Sequence, residues 1–144
     1  MRFLVAYDDT EGARAALAAV VPLARAAAAE VVVLQVVNPL IDAANVTAPS
    51  THEAMAQVTA TDRAAIEARL AELGLQAEVR VESATRGEDD WEHIVHVAQD
   101  VSADLIAIGS RRAGGLSGAI LGSVVRAVVQ HAHCPVLVVR PDHR

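Results

Sequence analysis

The chain contains no lysine: all 12 of its basic residues are arginines. A phosphate-binding loop of the Walker type places a lysine on the phosphates, so this class of nucleotide site is excluded. Schiff-base chemistry, which needs a reactive lysine, is excluded as well. The single cysteine, Cys134, excludes an internal disulfide and a cysteine-rich metal site.

Aromatic residues are also scarce, at 2% of the 144 residues, so the 53% of hydrophobic residues must build a core of Ala, Val, Leu and Ile. No apolar run reaches the roughly 18 residues of a membrane-spanning helix. The net charge of −6, without a basic cluster, argues against nucleic acid as a partner. The first residues enter a strand without a signal-peptide pattern, so we expect a cytoplasmic protein without a membrane partner.

Strand and helix patterns alternate along the chain and predict a single domain over residues 1–144. The predicted strands cover residues 2–7, 31–37, 76–83, 105–108 and 136–139, and the predicted helices cover about 10–29, 52–73, 88–100 and 122–131. Five strands joined by four crossover helices indicate a doubly wound α/β fold. We therefore expect one parallel five-stranded sheet in the order 3-2-1-4-5, with helices on both faces.

Several residues mark where these elements begin, end or are interrupted. Thr10 is a predicted N-cap of the first helix, and Gly74 is the predicted C-terminal stop of the second. Pro22 lies inside the first helix and predicts a kink or a local break. Residues 38–50 contain two prolines and small polar residues, which predict a loop.

The most informative segment is glycine-rich and runs from Gly109 to Ser123, between the fourth strand and the helix that follows it. Backbone N–H groups and the positive end of a helix dipole attract phosphate, and glycine allows an anion to approach the main chain closely. An ordinary connection is the alternative interpretation. About twelve residues is long for such a connection, and loops of this length tend to be functional or disordered.

Polar residues follow two strands that the expected order places side by side. Asp8 and Thr10 come after the first strand, and Gly109 and Ser110 come at the end of the fourth. Doubly wound sheets bind ligands beyond the carboxyl ends of their strands, where the winding direction reverses. The sequence thus predicts a nucleotide crevice with a carboxylate on one wall and a phosphate loop on the other.

These residues resemble the universal stress protein family over essentially the whole chain. Its ATP-binding members have a G-x2-G-x9-G-[S/T] pattern, in which Gly109, Gly122 and Ser123 take the first, third and hydroxyl positions. The second glycine is replaced by Arg112. The opening VAYDDTEGARAAL, with Asp8 as the family's aspartate, and the strands ADLIAIGS and CPVLVVR also match the family in order.

The resemblance implies an ATP-binding regulatory or stress-response protein, with Mg²⁺ carried by the phosphates. It places the adenine against Asp8 and Val36 and the phosphates at the backbone and hydroxyl of Ser123. Arg112 puts one close backbone approach in doubt, although a guanidinium can also pair with a phosphate. The implied binding residues are Ala6, Tyr7, Asp8, Thr10, Val36, Ile108, Gly109, Arg112, Gly122, Ser123, Val124 and Val125.

Four other interpretations remain open at this point. Acidic residues after the first strand are also found in response-regulator receiver domains, but these need a lysine that the chain lacks. The pairs His93 with His96 and His131 with His133 could hold a metal, although no third ligand stands at suitable spacing. Within the family, a weak ATPase and a member that binds no nucleotide are the alternatives, and Arg112 favours the latter.

The last predicted strand, Val136-Leu137-Val138-Val139, is uniformly apolar although the expected order places it at an edge of the sheet. Exposed edges usually have charges or bulges that prevent pairing with another chain. Pairing with a second copy would close this edge by two-fold symmetry. The resemblance points to the same homodimer, so we expect the chain to dimerise through this strand.

Overall fold

A computed structural model describes residues 1–37, 51–85, 87–110 and 121–141. The strands are β1 (Arg2–Ala6), β2 (Glu30–Val37), β3 (Glu78–Ser83), β4 (Leu105–Gly109) and β5 (Val136–Val139). The helices in these ranges are α1 (Glu11–Ala27), α2 (Thr51–Leu73), α3 (Asp90–Asp100) and α4 (Ser123–His131). The loop predicted over 38–50, like Arg112, lies outside the described residues.

The five strands form one parallel sheet in the order β3-β2-β1-β4-β5, which confirms the predicted fold and strand order. In the centre of the sheet, Ala6 of β1 is the register partner of Leu34 on β2 and of Ile108 on β4. The carboxyl ends of these three strands therefore lie side by side, and the winding direction changes between β1 and β4. A doubly wound sheet binds its ligands at this position.

The core has two parts, one on each face of the sheet. One part packs α1 and α2 against the sheet through residues such as Leu17, Val20 and Ile66, all fully buried. The other packs α3 and α4 through Ile94 and Val128. Continuous apolar strands are typical of parallel sheets that are covered on both faces, as the run VVVLQVV of β2 indicated.

Helix α1 runs unbroken through Pro22, so the break predicted there does not form. Pro22 lies on the exposed side of the helix, as does Ala18, whose carbonyl loses its usual N–H partner to the proline ring. Water can bind that carbonyl at the surface. Meanwhile Val20 and Ala24 are buried on the opposite side, and their packing holds the last helical turn in place.

The predicted ends of the first two helices are confirmed. The Thr10 hydroxyl accepts a hydrogen bond from the N–H of Ala13 at 3.2 Å and caps α1. Gly74 follows α2 with a φ of 61°, a left-handed conformation that favours glycine and ends the helix.

Candidate functional site

An open crevice of about 860 Å³, counting the part in contact with solvent, lies beyond the carboxyl ends of β1, β2 and β4. The described residues that line it come from all three strand ends and from the first turns of α1, α3 and α4. They are Ala6, Tyr7, Asp8, Thr10, Ala13, Leu34, Val36, Asp90, Ile94, Ile108, Gly109, Gly122, Ser123, Val124 and Val125.

Eleven of the twelve residues that the sequence singled out lie around this one crevice. The twelfth, Arg112, lies outside the described residues. Sequence reasoning did not name Ala13, Leu34, Asp90 and Ile94, which also line the crevice. Leu34 could have been found from its position two residues before Val36, because alternate residues of a strand share a face. Asp90 and Ile94 have the i, i+4 spacing of a helix face.

The Asp8 carboxylate is oriented by Thr10. Its Oδ1 accepts hydrogen bonds from the Thr10 hydroxyl at 2.6 Å and from the Thr10 N–H at 3.2 Å. The same hydroxyl caps α1, so one side chain links the carboxylate to the start of a helix. Both of these bonds go to Oδ1, and no hydrogen bond from the described residues reaches Oδ2.

A strained turn brings Asp8 to the crevice. The next residue, Asp9, has a φ of 59°, which is left-handed and costs a non-glycine residue about 1 kcal/mol. Three hydrogen bonds hold Asp9: Tyr7 Oη donates to its Oδ1 at 3.0 Å, and Arg14 donates to its carbonyl at 2.6 Å and to its Oδ1 at 3.1 Å. Burial, and then the bond to Asp9, raise the pKa of Tyr7 to about 12, so the phenol remains a neutral donor.

Gly109 ends β4 where that strand meets the first turn of α1. A Cβ built on Gly109 would stand 2.1 Å from the carbonyl carbon of Gly12 and 2.5 Å from the backbone nitrogen of Ala13. A Cβ on Gly12 would in turn stand 2.4 Å from the Ser110 oxygen. The two glycines allow α1 and β4 to approach each other closely. In this structure the glycine at 109 is therefore required by packing, whether or not an anion approaches it.

Gly122 is the N-cap of α4, and its surroundings are the opposite of those of Gly109. A Cβ at Gly122 would meet no described atom within 4 Å. The first helical bond of α4 runs from the Arg126 N–H to the Gly122 carbonyl at 3.0 Å. The N–H groups of Ser123, Val124 and Val125 precede it, so they have no partner within the helix. These three residues line the crevice.

The three helices that begin at the crevice differ in how their N-termini are capped. Thr10 caps α1, and at α3 the Asp89 N–H donates to the Glu92 side chain at 2.8 Å. At α4, no side chain of the described part of the chain caps the helix. The positive end of the α4 dipole and its first N–H groups, for which the described residues provide no partner, therefore lie at the crevice, where they can bind an anion.

The charged side chains among the described lining residues are both carboxylates, Asp8 and Asp90. The apolar lining comes from deeply buried residues, such as Leu34 at 1% and Ile108 at 5% exposure. One end of the crevice is thus suited to a flat apolar group and the α4 end to an anion. A polyanion placed there would need a cation to balance the two carboxylates.

The histidines that the sequence offered as metal ligands contact other groups. His93 and His96 lie against carboxylates, and His131 stacks on Trp91 with ring centroids 4.5 Å apart. Within the described ranges, no group of three or more His, Cys, Asp or Glu side chains is arranged to hold a metal ion.

The family model of the universal stress proteins matches residues 1–140. The chain belongs to the universal stress protein family. A universal stress protein of Methanocaldococcus jannaschii is 49% identical over 47 residues, and YxiE of Bacillus subtilis is 42% identical over 72 residues. These matches cover 33% and 50% of this chain, and 28% and 46% of those two relatives. This universal stress protein therefore matches less than half the length of each of these curated relatives.

Solved structures share the whole fold of this family member. MJ0577, determined as a test case of structure-based assignment of function, matches with a TM-score of 0.75 and 26% identity, covering 99% of this chain and 97% of that one. A universal stress protein of Arabidopsis thaliana with AMP bound matches with a TM-score of 0.67 and 19% identity, covering 99% and 93%. One from Archaeoglobus fulgidus in complex with dAMP has a TM-score of 0.60 and 24% identity, covering 96% and 97%.

No helix within the described ranges combines the length and the apolar character that crossing a membrane requires.

Proposed function

We propose that this universal stress protein binds ATP, together with Mg²⁺, in the crevice beyond β1 and β4, and acts as a nucleotide-dependent regulatory protein. The observation that carries the proposal is the start of α4, which no described side chain caps and which lies at a crevice with an apolar end and an oriented carboxylate. The solved structures with AMP and dAMP support an adenine nucleotide as the class of ligand.

The apolar end of the crevice suits the base. Val36 and the more deeply buried Leu34 come from the end of β2, and Ile108 comes from β4. We place the adenine against Val36 and the Asp8 carboxylate, whose Oδ2 can accept a hydrogen bond from an amino or hydroxyl group. Ile108 and Gly109 then lie beside the ribose.

The α4 end of the crevice suits the phosphates. The N–H groups of Ser123, Val124 and Val125 can donate to phosphate oxygens, and the Ser123 hydroxyl adds one further donor. Asp8 and Asp90 repel a triphosphate, and Mg²⁺ bound to the phosphates offsets that repulsion. We also propose that the Arg112 guanidinium contacts a phosphate.

We favour binding over catalysis as the main activity. Rapid phosphoryl transfer needs cationic clamps and a positioned nucleophile. The described lining residues supply two carboxylates and the hydroxyls of Thr10 and Ser123, together with the Tyr7 phenol, but no cationic side chain. Weak ATP hydrolysis is compatible with this set of groups.

A homodimer through β5 is the second part of the proposal. The two edges of the sheet differ: β3 alternates valines with Glu78, Arg80 and Glu82, and Arg80 forms an ion pair with Glu78 at 2.7 Å. In contrast, all four residues of β5 are apolar and partly exposed. The charged edge is protected from pairing with another chain, and the apolar one is suited to it.

Calorimetric titration of the purified protein with ATP and Mg²⁺ tests the binding proposal. We expect a one-to-one complex, with adenosine binding more weakly because it lacks the phosphates. GTP serves as the control for base recognition. Nucleotide released by acid from freshly purified protein would identify the ligand directly. A dissociation constant of about 1 mM corresponds to a binding free energy of about 4 kcal/mol. If no ATP binding is detected at about millimolar ligand, the proposal is contradicted.

A further inference from the structure

Two carboxylates hold His93 in the first turn of α3, outside the crevice. The ring Nε2 lies 2.9 Å from Glu82 Oε2 at the end of β3, and Nδ1 lies 3.0 Å from Glu88 Oε2 in the segment before α3. The His93 and Glu88 side chains are only 13% and 12% exposed. An ionised carboxylate only accepts hydrogen bonds, so both ring nitrogens must donate, as only the protonated imidazolium can.

The groups around this histidine favour its charged form. Glu88 also accepts hydrogen bonds from the Thr85 N–H at 2.9 Å and from His96 at 2.6 Å. The Thr85 bond and the bond to His93 lower the pKa of Glu88 to about 2. Burial disfavours the imidazolium, but the bonds to Glu88 and Glu82 outweigh burial and raise the pKa of His93 above 6.5.

Among the described residues, other charged groups reach His93 through these two carboxylates. His96, on the same helix, contacts Glu88 and is 65% exposed. On β3, the Arg80 guanidinium lies 3.7 Å from Glu82 Oε1. On α4, which packs against α3, His131 stacks on Trp91 and bonds to its own helix. In the described parts of the chain, the charges that touch the His93 ring are therefore negative.

The ring links α3, which forms one wall of the crevice, to β3, which lies beside the wall formed by the end of β2. His93 lies between Asp90 and Ile94, the residues with which α3 lines the crevice. Its partner Glu82 is the register partner of Val36, which lines the crevice from β2. The imidazolium thus ties the first turn of α3 to the strand beside Val36. Loss of its proton would leave one ring nitrogen without a hydrogen to donate, facing a carboxylate.

We propose that His93 is a positioning residue that makes nucleotide binding depend on pH: its imidazolium holds the α3 wall in place, and deprotonation loosens that wall and weakens binding. This inference rests on the proposed function of the crevice. Because the folded protein raises the pKa of His93, the tether is fully present below about pH 6.5 and is lost as the pH rises through the raised value. By linkage, bound nucleotide must strengthen proton binding at His93.

The first experiment uses the unmodified protein. We expect NMR titration of the histidine rings to find a pKa of His93 above 6.5. Saturating ATP should raise it further, by about 0.5 to 1 pH unit. ATP affinity should correspondingly fall about three- to tenfold between about pH 6 and pH 8.5. A His93 that titrates at or below its ordinary value, or whose titration ATP does not move, would overturn the proposal.

Variants separate positioning from a merely structural role. His93→Gln removes the charge and should bind ATP weakly at every pH, whereas His93→Arg keeps a permanent cation and should bind tightly without the pH dependence. His96→Gln is the matched control: that ring is mostly exposed and contacts Glu88 but does not touch Glu82, so the variant should keep most of the pH dependence of the unmodified chain. The ratio of variant to unmodified affinity at each pH cancels the titration of ATP itself.

Amide hydrogen exchange tests, without any ligand, whether the contacts of His93 with Glu82 and Glu88 hold the start of α3 in place. The His93 N–H donates to the Asp89 carbonyl at 3.1 Å in the first turn of α3. Its protection should decrease above the pKa of His93 in the unmodified chain but not in His93→Arg. If ATP fails to bind, the proposed function fails while exchange still tests the tether. If ATP binds with one pH profile in both the unmodified chain and His93→Gln, only the tether is wrong.

Discussion

Gly109 and Gly122 occupy two positions of the same motif, and the structure predicts opposite consequences for replacing them. In Gly109→Ala the new Cβ would lie 2.1–2.5 Å from three backbone atoms of Gly12 and Ala13. Backbone cannot rotate away as a side chain can, so α1 and β4 must separate. Overpacking of this kind costs about 1–3 kcal/mol, and we expect the upper end of that range because all three contacts are with main chain.

Gly122→Ala should leave the unliganded protein nearly unchanged. Its Cβ meets no described atom within 4 Å, and its φ of −58° is one that alanine adopts without strain. Alanine is a clearly poorer N-cap than glycine, but it also lowers the entropy of the unfolded chain. These effects oppose each other, so the net change should stay within about 0.5 kcal/mol.

For ATP binding we expect the opposite ranking, with substitution of Gly122 having a larger effect than substitution of Gly109. A side chain at Gly122 stands at the uncapped end of α4, where the phosphates would approach the N–H groups. Gly122→Val should therefore weaken ATP binding at least about tenfold, or about 1.4 kcal/mol, while Gly122→Ala has a smaller effect. Adenosine, which has no phosphates, should be affected less by both.

Urea and thermal unfolding without ligand measure the effect on stability. Calorimetry with ATP and Mg²⁺ measures the effect on binding. Each kcal/mol of lost stability should lower the melting temperature by about 2–4 °C in a domain of this size, so Gly109→Ala should melt about 4–12 °C lower. The reasoning fails if Gly109→Ala is as stable as the unmodified chain. It also fails if Gly122→Val binds ATP normally, because the phosphates would then lie elsewhere.

Three further predictions concern the carboxylate, the motif arginine and the sheet edge. Thr10→Val should cost about 1 kcal/mol in urea unfolding through the lost cap and should weaken ATP binding by releasing Asp8, whereas Thr10→Ser should do neither. Arg112→Ala should weaken ATP more than adenosine in calorimetry, by an amount that shrinks at high salt; tighter binding by Arg112→Gly would show that the arginine obstructs the site. Val138→Asp should shift the protein toward monomer or aggregate in light scattering; a stable monomer of the unmodified chain at about micromolar concentration would remove the argument.

The fold could be predicted from the sequence because a local sequence pattern indicates each helix and strand. The run of β2 indicates a strand covered on both faces, Thr10 and Gly74 mark helix ends, and the alternation of strands with helices leaves few topologies. Of the kink or local break predicted at Pro22, the break was wrong for a physical reason. Helix propensity describes an isolated helix. In the protein, the packing of the buried side of α1 stabilises the helix enough for it to continue beyond Pro22.

The site was predictable only in part, because motif residues and wall residues are specified differently. Asp8 comes just after β1, Gly109 is the last residue of β4 and Ser123 is the first residue of α4, so the sheet order brings them together at one edge. Gly109 nevertheless shows that a motif position can have a second cause, since its contact with Gly12 requires a glycine without any ligand. A motif glycine is thus evidence of a close approach, but it does not say what approaches.

The part of the crevice that α3 forms could not be predicted from the sequence. That Asp90 and Ile94 line the crevice depends on where the helix crosses the sheet, and the packing of α3 against β2 and α4 decides this. The pair His93 and Glu82 is likewise separated by eleven residues and is joined only because α3 turns back over the end of β3. The sequence showed a histidine on a helix face, which is compatible with solvent exposure, helix capping or metal binding, and it gave no sign of the carboxylates that the structure places against the ring. The two short distances to these carboxylates turn a histidine without an assigned role into a testable link between pH and the crevice.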